Sequence, residues 1–124
     1  MREINDIFSI DQITHENGAI KATLGINIRS EIFKGHFPDQ PVVPGACMLQ
    51  IVKDVLESVL KHTIRLKKAD HLKFVSMIVP SLNDMAELAI TYKLGAEDSI
   101  NVTAKLIASD VVCFKFQGSF VEIN

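Results

Sequence analysis

One segment of this chain has the apolar periodicity of an α-helix, and the other patterned segments alternate in the manner of β-strands. Between Pro44 and His62, apolar side chains recur at steps of three and four residues, which places them on one side of a helix. They are Met48, Leu49, Val52, Val55, Leu56, Val59 and Leu60. Pro44 suits the first helical turn, because the N–H that proline lacks would have no helical partner there. The chain therefore has one predicted helix with which to cover the sheet that its strands form.

The segments on either side of the helix alternate between apolar and polar residues, as half-buried strands do. Predicted strands cover 4–14, 20–28, 64–79, 88–94, 100–106 and 111–123. Turns are predicted at Asn17-Gly18, at 95–98 and at 109–110. One helix among five or six mostly antiparallel strands predicts the α+β class, in a single domain over residues 1–124. Such a sheet is expected to curl around the helix and to pair its edge with a second copy.

Composition excludes several functional classes. The net charge is −2, so the chain lacks the basic excess of a general nucleic-acid or membrane-surface binder. No apolar run approaches the roughly 18 residues of a membrane span, and the first residues do not resemble a signal peptide. Cys47 and Cys113 are isolated thiols, which fits a cytoplasmic protein without disulfides. The four histidines lie far apart, so we expect no metal and no other cofactor.

The segment before the helix is stiffened by proline. It reads GHFPDQPVVPGACMLQ from Gly35 to Gln50, and three prolines in it fix φ near −65°. His36 is held in this segment and is a candidate general base, because the pKa of histidine lies near neutrality. A capping or packing histidine explains the residue equally simply. Gly45 lies where the helix begins, and its N–H would be an unpaired donor able to polarise a carbonyl, as at any helix start.

Gln50 is the one polar residue in the first turn and a half of the helix, from Ala46 to Val52. A helix start that is apolar on every side is expected to be buried on every side. Gln50 would then point into a second buried environment, where its amide needs hydrogen-bond partners. Taken alone, the residue also fits a solvated or interface glutamine.

GHFPDQPVVPG resembles the HFPxxPVxPG signature of the bacterial 3-hydroxyacyl-[acyl-carrier-protein] dehydratases of the FabZ/FabA type. Lys73-Phe74 and Val79-Pro80 look like the KF…VP strand of that family. The resemblance implies a hot-dog fold, in which a curved antiparallel sheet wraps around one long helix, and normally a dimer. It also implies a hydro-lyase that forms trans-2-enoyl thioesters from carrier-protein-bound chains in fatty-acid or related acyl-chain synthesis.

The same resemblance implies roles for individual residues. The family histidine at the position of His36 removes the C2 proton, and a carboxylic acid fourteen residues later, on the other subunit, protonates the departing C3 hydroxyl. Backbone N–H at the position of Gly45 holds the thioester oxygen. The acyl chain lies in an apolar tunnel, so we expect substrate-binding residues in the loop and helix start: Phe37, Pro38, Val43, Pro44 and Gly45.

The chain departs from this pattern at the acid, because the fourteenth residue after His36 is Gln50. Glutamine keeps the size and can donate a hydrogen bond, but it cannot transfer a proton. Asp54 lies one turn further on, a displacement of about 5–6 Å. We therefore expect His36 and Gln50 in the catalytic positions of a dehydratase. The alternative is a non-catalytic or half-site acyl-binding subunit that works as a heterodimer with a carboxylate-bearing relative. A thioesterase ranks last, since thioesterases of this fold generally lack the loop.

Three further predictions concern residues outside the motif. A local basic run either docks an acidic acyl carrier protein or is a solvated strand face. Its members are Lys61, Arg65, Lys67, Lys68 and Lys73. Cys47 is expected to be a packing residue and not a nucleophile. His71 is expected to be structural.

Overall fold

The computed structural model describes residues 7–30, 33, 42–80 and 84–123. Within them the chain forms six strands and one α-helix, and a one-turn 3₁₀ helix, Ala96–Asp98, joins two of the strands. In chain order the elements are β1 (Phe8–Glu16), β2 (Ala19–Ile26), α1 (Gly45–Leu60), β3 (Ile64–Phe74), β4 (Met85–Leu94), β5 (Ser99–Ala108) and β6 (Val111–Glu122). The predicted α+β class is confirmed.

All six strands form one antiparallel sheet, in the order β1-β2-β4-β5-β6-β3. Two of its hairpins close with two-residue turns. Asn17 and Gly18 have φ of 52° and 79°, and Ser109 and Asp110 have φ of 52° and 63°. Positive φ at both positions matches the right-handed twist of the flanking strands, as the Asn-Gly pair predicted for the first turn. The order leaves β1 and β3 at the two edges of the sheet.

The helix packs one side against the sheet. Its buried residues are Cys47, Met48, Ile51, Val52, Val55 and Leu56. The other residues of the predicted stripe, Leu49, Val59 and Leu60, are partly buried beside them. Pro44 is the N-cap, one residue earlier than the predicted first turn. At the other end Lys61 adopts the left-handed conformation and its N–H donates to the carbonyl of Glu57, which ends the helix. No helix in the described part of the chain is long and apolar enough to cross a membrane.

Edge strand β3 is irregular. Of its residues only Ile64 is buried, and two register shifts, at Leu66/Lys68 and Ala69/His71, interrupt its pairing with β6. Opposite the bulged region stands Gly118, where a Cβ would collide with the backbone carbonyl of Lys68. A residue without a side chain therefore lets the bulged edge approach β6 this closely.

Two strand predictions extend beyond the observed strands. Ile28 lies beyond β2 in an exposed turn, because the side chain of Asn27 accepts a hydrogen bond from the N–H of Arg29 and ends the strand. β4 does end at Leu94, as predicted, although this residue is 70% exposed. β3 ends at Phe74 and not near residue 79, since Val75 and Ser76 both donate to the carbonyl of Cys113 and the regular ladder stops there.

Candidate functional site

The described residues contain the helix side of the predicted site and not its histidine. His36, Phe37 and Pro38 lie outside the described residues, so their placement and roles stay predictions. Val43, Pro44, Gly45 and Gln50 are described, and they occupy the approach to α1 and its first turns.

The chain enters α1 along an anchored, extended segment. Val43 is buried, and its N–H donates to the carbonyl of Ile78 at 2.9 Å. Pro44 follows in extended geometry, with φ of −65° and ψ of 146°, and its carbonyl accepts the first helical hydrogen bond from Cys47 at 3.1 Å. The backbone that leads into the helix is therefore tied to the segment after β3, which fixes where the helix starts.

Gly45 lies against an aromatic ring. A Cβ on Gly45 would approach the Cζ atom of Phe74 to 2.5 Å, so the ring occupies the space that a side chain would fill. Phe74 in turn stacks on Phe114, with ring centroids 5.2 Å apart, while 52% of Phe74 remains exposed. Phe74 thus forms a wall beside the helix start. The sequence had shown it only as part of the KF pair, and no local pattern placed it next to Gly45.

The helix start carries no negative charge of its own. The first turn has no acidic residue, and Pro44 offers no side-chain cap. The first N–H groups of a helix lack intrahelical partners and carry partial positive charge. Such a start can hold a carbonyl oxygen that gains negative charge during a reaction.

Gln50 is half-buried and bonded within its own helix. Its Nε2 donates to Oδ1 of Asp54 at 2.9 Å. The opposite amide orientation would set two oxygens against each other, so Asp54 directs the carbonyl oxygen of Gln50 away from itself. Sequence reasoning treated Asp54 as too distant to replace an acid and missed this contact. The i, i+4 spacing of an amide and a carboxylate on one helix face could have indicated it.

In the single chain, the sheet covers the first helical turns on one side only. Ala46 is exposed, and Leu49 and Gln50 are half-buried. The reason is that the sheet covers only the opposite stripe of the helix. Burial of Gln50 beside a second subunit stays a prediction.

The structure also describes the candidate residues outside the helix start and the loop. Cys47 is buried in the core, as predicted for a packing residue. Among the described residues no three histidine, cysteine or acidic side chains cluster as metal ligands would. His71 lies exposed on edge strand β3, and its structural role stays a prediction.

Comparison with known proteins identifies relatives of this arrangement. Residues 12–117 match the model of a family described as ApeI-like, ApeI dehydratase. A chain of the dehydratase heterocomplex ApeI:P from Xenorhabdus doucetiae superposes with a TM-score of 0.68 at 15% identity, covering 92% of this chain and 97% of that chain. No curated protein matches this chain.

Two other solved structures are similar at the same level. An uncharacterized protein from Erwinia carotovora subsp. atroseptica has a TM-score of 0.63 at 18% identity, with 94% of each chain covered. A mutant thioesterase from Staphylococcus aureus has a TM-score of 0.64 at 10% identity, covering 94% of this chain and 93% of that chain. Identities this low show the fold alone, and that fold is the predicted hot-dog fold. The match to dehydratases is confirmed at family level, whereas the FabZ/FabA type is not.

Proposed function

This chain belongs to the ApeI-like dehydratase family, and we propose that it removes water from a 3-hydroxyacyl thioester to give a trans-2-enoyl thioester. The observation that carries the proposal is the uncapped start of α1, with Phe74 packed on Gly45 and Gln50 following in the next turn. We further propose that the thioester is bound to an acyl carrier protein in the cytoplasm, in fatty-acid or related acyl-chain synthesis.

In this proposal His36 begins the reaction. Its neutral imidazole accepts the C2 proton of the substrate, and negative charge moves onto the thioester oxygen. The N–H groups at Gly45 hold that oxygen, assisted by the partial positive charge of the helix start. Val43 and Pro44 position the backbone there, and Phe37, Pro38 and Phe74 line the path of the acyl chain. The C3–O bond then breaks as the C2–C3 double bond forms.

In a site built from two copies of this chain, Gln50 orients the departing hydroxyl and does not protonate it. Since Nε2 donates one of its hydrogens to Asp54, the carbonyl oxygen of Gln50 is turned away from that carboxylate and can accept a hydrogen bond from the C3 hydroxyl. That contact holds the C3–O bond in line with the C2 proton. It leaves the leaving group without a general acid, a deficit that is typically about 10²–10⁴-fold in rate.

We propose that a related subunit supplies this acid. In a heterodimer, His36 of this chain would face a carboxylic acid on the helix of its partner, which completes one site. The description of the similar Xenorhabdus doucetiae structure as a dehydratase heterocomplex supports the proposal. A homodimer would carry His36 and Gln50 at both of its sites and no acid at either, and we expect it to be slow.

The test is an assay of the purified chain, alone and mixed with a carboxylate-bearing relative, on a 3-hydroxyacyl thioester. Enoyl thioester formation is followed by ultraviolet absorbance, and thiol release is followed separately with a thiol reagent. We expect water loss without thiol release, and a much higher rate in the mixture. Thiol release without an enoyl product would assign a thioesterase instead. Absence of both, with tight binding of the acyl chain, would assign an acyl-binding subunit.

A further inference from the structure

Strand register brings four lysines into one row across the sheet. Lys21 lies opposite Ala89, Ala89 opposite Lys105, Lys105 opposite Lys115, and Lys115 opposite Lys73. We refer to Lys21, Lys105, Lys115 and Lys73 as the lysine row. It crosses β2, β5, β6 and β3, with the small Ala89 of β4 filling the one gap.

The lysine row lies on the face of the sheet that points away from the helix. Successive strand residues alternate between faces, and the neighbours of Lys105 and Lys115 are core residues that are 2% exposed or less. These neighbours are Ala104, Leu106, Phe114 and Phe116. All four lysines are exposed, so a binding partner can reach them without any rearrangement of the core.

Three lysines of the row form no ion pair with an acidic side chain among the described residues. Lys21 approaches Glu87 at 3.8 Å, while no ion pair is formed there by Lys73, Lys105 or Lys115. Like charges directly opposite each other on adjacent strands destabilise a sheet. Repulsion therefore lowers the stability of the sheet at Lys115, which has a lysine on both sides. An acidic partner would relieve this repulsion.

A groove lies over the row. Its volume is about 1190 Å³, and it crosses the sheet from β1 to β3. All four lysines line it, together with Thr91, Thr103, Gln117 and His71. Three of the lysines, Lys73, Lys105 and Lys115, make the β3 end of this lining basic. The acid Glu16 stands at the opposite end of the groove, on β1.

We infer that this groove binds an acidic α-helix of the protein that carries the acyl thioester. Adjacent strands are about 4.8 Å apart, and one face of an α-helix repeats every 5.4 Å or so, so successive carboxylates of a helix laid across the strands can each meet a lysine. From Lys73 to Lys21 the row spans about 19 Å, the length of roughly 13 helical residues. Lysine, a point charge on a flexible stem, suits such spaced carboxylates.

The position of the groove connects it to the candidate site, and this step rests on the proposed function. Lys73 directly precedes Phe74, whose ring lies on Gly45 at the start of α1. The β3 end of the row is therefore separated from the helix start only by the edge of the sheet. A thioester arm leaving a carrier docked at this end of the groove therefore has a short distance to cover to Gly45.

The experiment compares Lys105→Glu and Lys115→Glu with Lys93→Glu, an exposed lysine on the same sheet that lies outside this groove. Binding of acyl carrier protein is measured by calorimetry at low and high salt. We expect each row variant to weaken binding about tenfold or more at low salt, with Lys93→Glu within about threefold of wild type. Equal affinities for the row variants and Lys93→Glu would overturn the inference.

Kinetics separate this inference from the proposed function. The same 3-hydroxyacyl group is presented on carrier protein and on a small thiol, using the assembly that shows activity. Row variants should raise KM for the carrier-bound substrate and leave the small thioester unaffected. A row variant that impairs both substrates equally would contradict carrier docking. If neither substrate is dehydrated, the proposed function fails, and the binding measurement still decides the docking site.

Discussion

The side-chain amide of Gln50 donates a 2.9 Å hydrogen bond to the carboxylate of Asp54, one helical turn further on. The amide thereby has a fixed orientation at the position where dehydratases with the HFPxxPVxPG loop carry an acid. Asp54 acts on the proposed reaction through Gln50, as a positioning residue. We draw three predictions from this bond and from the packing around the helix start, and a fourth from the buried thiol of Cys113.

Asp54→Asn should leave the orientation of the Gln50 amide less well defined, because an asparagine side chain can hydrogen-bond to either the nitrogen or the oxygen of that amide. We expect kcat of the chain assayed alone, whose sites carry Gln50, to fall about tenfold with KM nearly unchanged, since a misplaced group costs rate more than binding. Steady-state kinetics on a small 3-hydroxyacyl thioester provide the measurement. Lys53→Gln, the neighbouring residue on the helix, is the control. Wild-type kcat in Asp54→Asn would show that the orientation of Gln50 is irrelevant.

Gln50→Glu should install the missing proton donor at nearly the same volume. We expect the chain assayed alone to dehydrate about 10²-fold faster or more, and His36→Ala to abolish that gain. Gln12→Glu makes the same chemical change on the exposed strand β1 and should have no effect. A fast wild type that Gln50→Glu does not improve would refute the missing-acid argument. A fast Gln50→Ala would remove this position from catalysis altogether.

Gly45 and Phe74 should be energetically coupled. Alanine favours a helix over glycine by up to about 1 kcal/mol, but here its methyl group meets the Phe74 ring. We expect Gly45→Ala to be more stabilising in a Phe74→Leu background than in wild type, by about 0.5–1 kcal/mol. Urea unfolding of wild type, the two single variants and the double variant measures this. Strict additivity would mean that the ring does not rest on Gly45.

Cys113 should make stability depend on alkaline pH. Burial raises the pKa of its thiol, although hydrogen bonds with the backbone of Ala108 and the side chain of Ser76 oppose the shift. The folded chain therefore keeps the thiol proton to higher pH than the unfolded chain does. The stability gained is complete below the ordinary cysteine pKa and declines as pH rises above it.

Urea unfolding at a series of alkaline pH values tests this directly. The free energy of unfolding should fall more steeply with pH in wild type than in Cys113→Ala, which has no thiol to titrate at that position. Cys113→Ala should also be less stable at neutral pH, because Cys113 is 2% exposed and its truncation leaves unfilled space in the core. Parallel stability curves for the two proteins would contradict the raised pKa.

Much of the fold was predictable because its signals are local. Alternation gave the strands, the three- and four-residue steps gave α1, and Asn17-Gly18 gave the first hairpin. Ile28 was wrongly placed in β2, and Leu94 is exposed although it belongs to the apolar alternation of β4, because turns and sheet ends leave apolar residues in solvent. The bulges in β3 leave no local signature, because they depend on Gly118 in a different strand.

Only those site residues that lie close together in the sequence could be predicted. Counting from His36 identified Gln50, and the helix start identified Gly45, whereas Phe74 reaches Gly45 from another element. The lysine row shows the same limit. The basic run read from the sequence contained Lys73, but its partners Lys105, Lys115 and Lys21 come from strands distant in sequence, and only the register aligns them. The role of His36 stays a prediction.

The bulged edge of β3 also limits which strands can pair with it. Its two register shifts tilt successive backbone groups out of line, so a straight strand cannot form a continuous ladder along it. The exposed lysines Lys67 and Lys68 further disfavour stacking of identical edges without limit. A strand with a matching bulge could form a continuous hydrogen-bond ladder with β3, whereas a regular strand could not. Strand pairing at this edge therefore depends on whether the backbone amides of the neighbouring strand have a matching spacing.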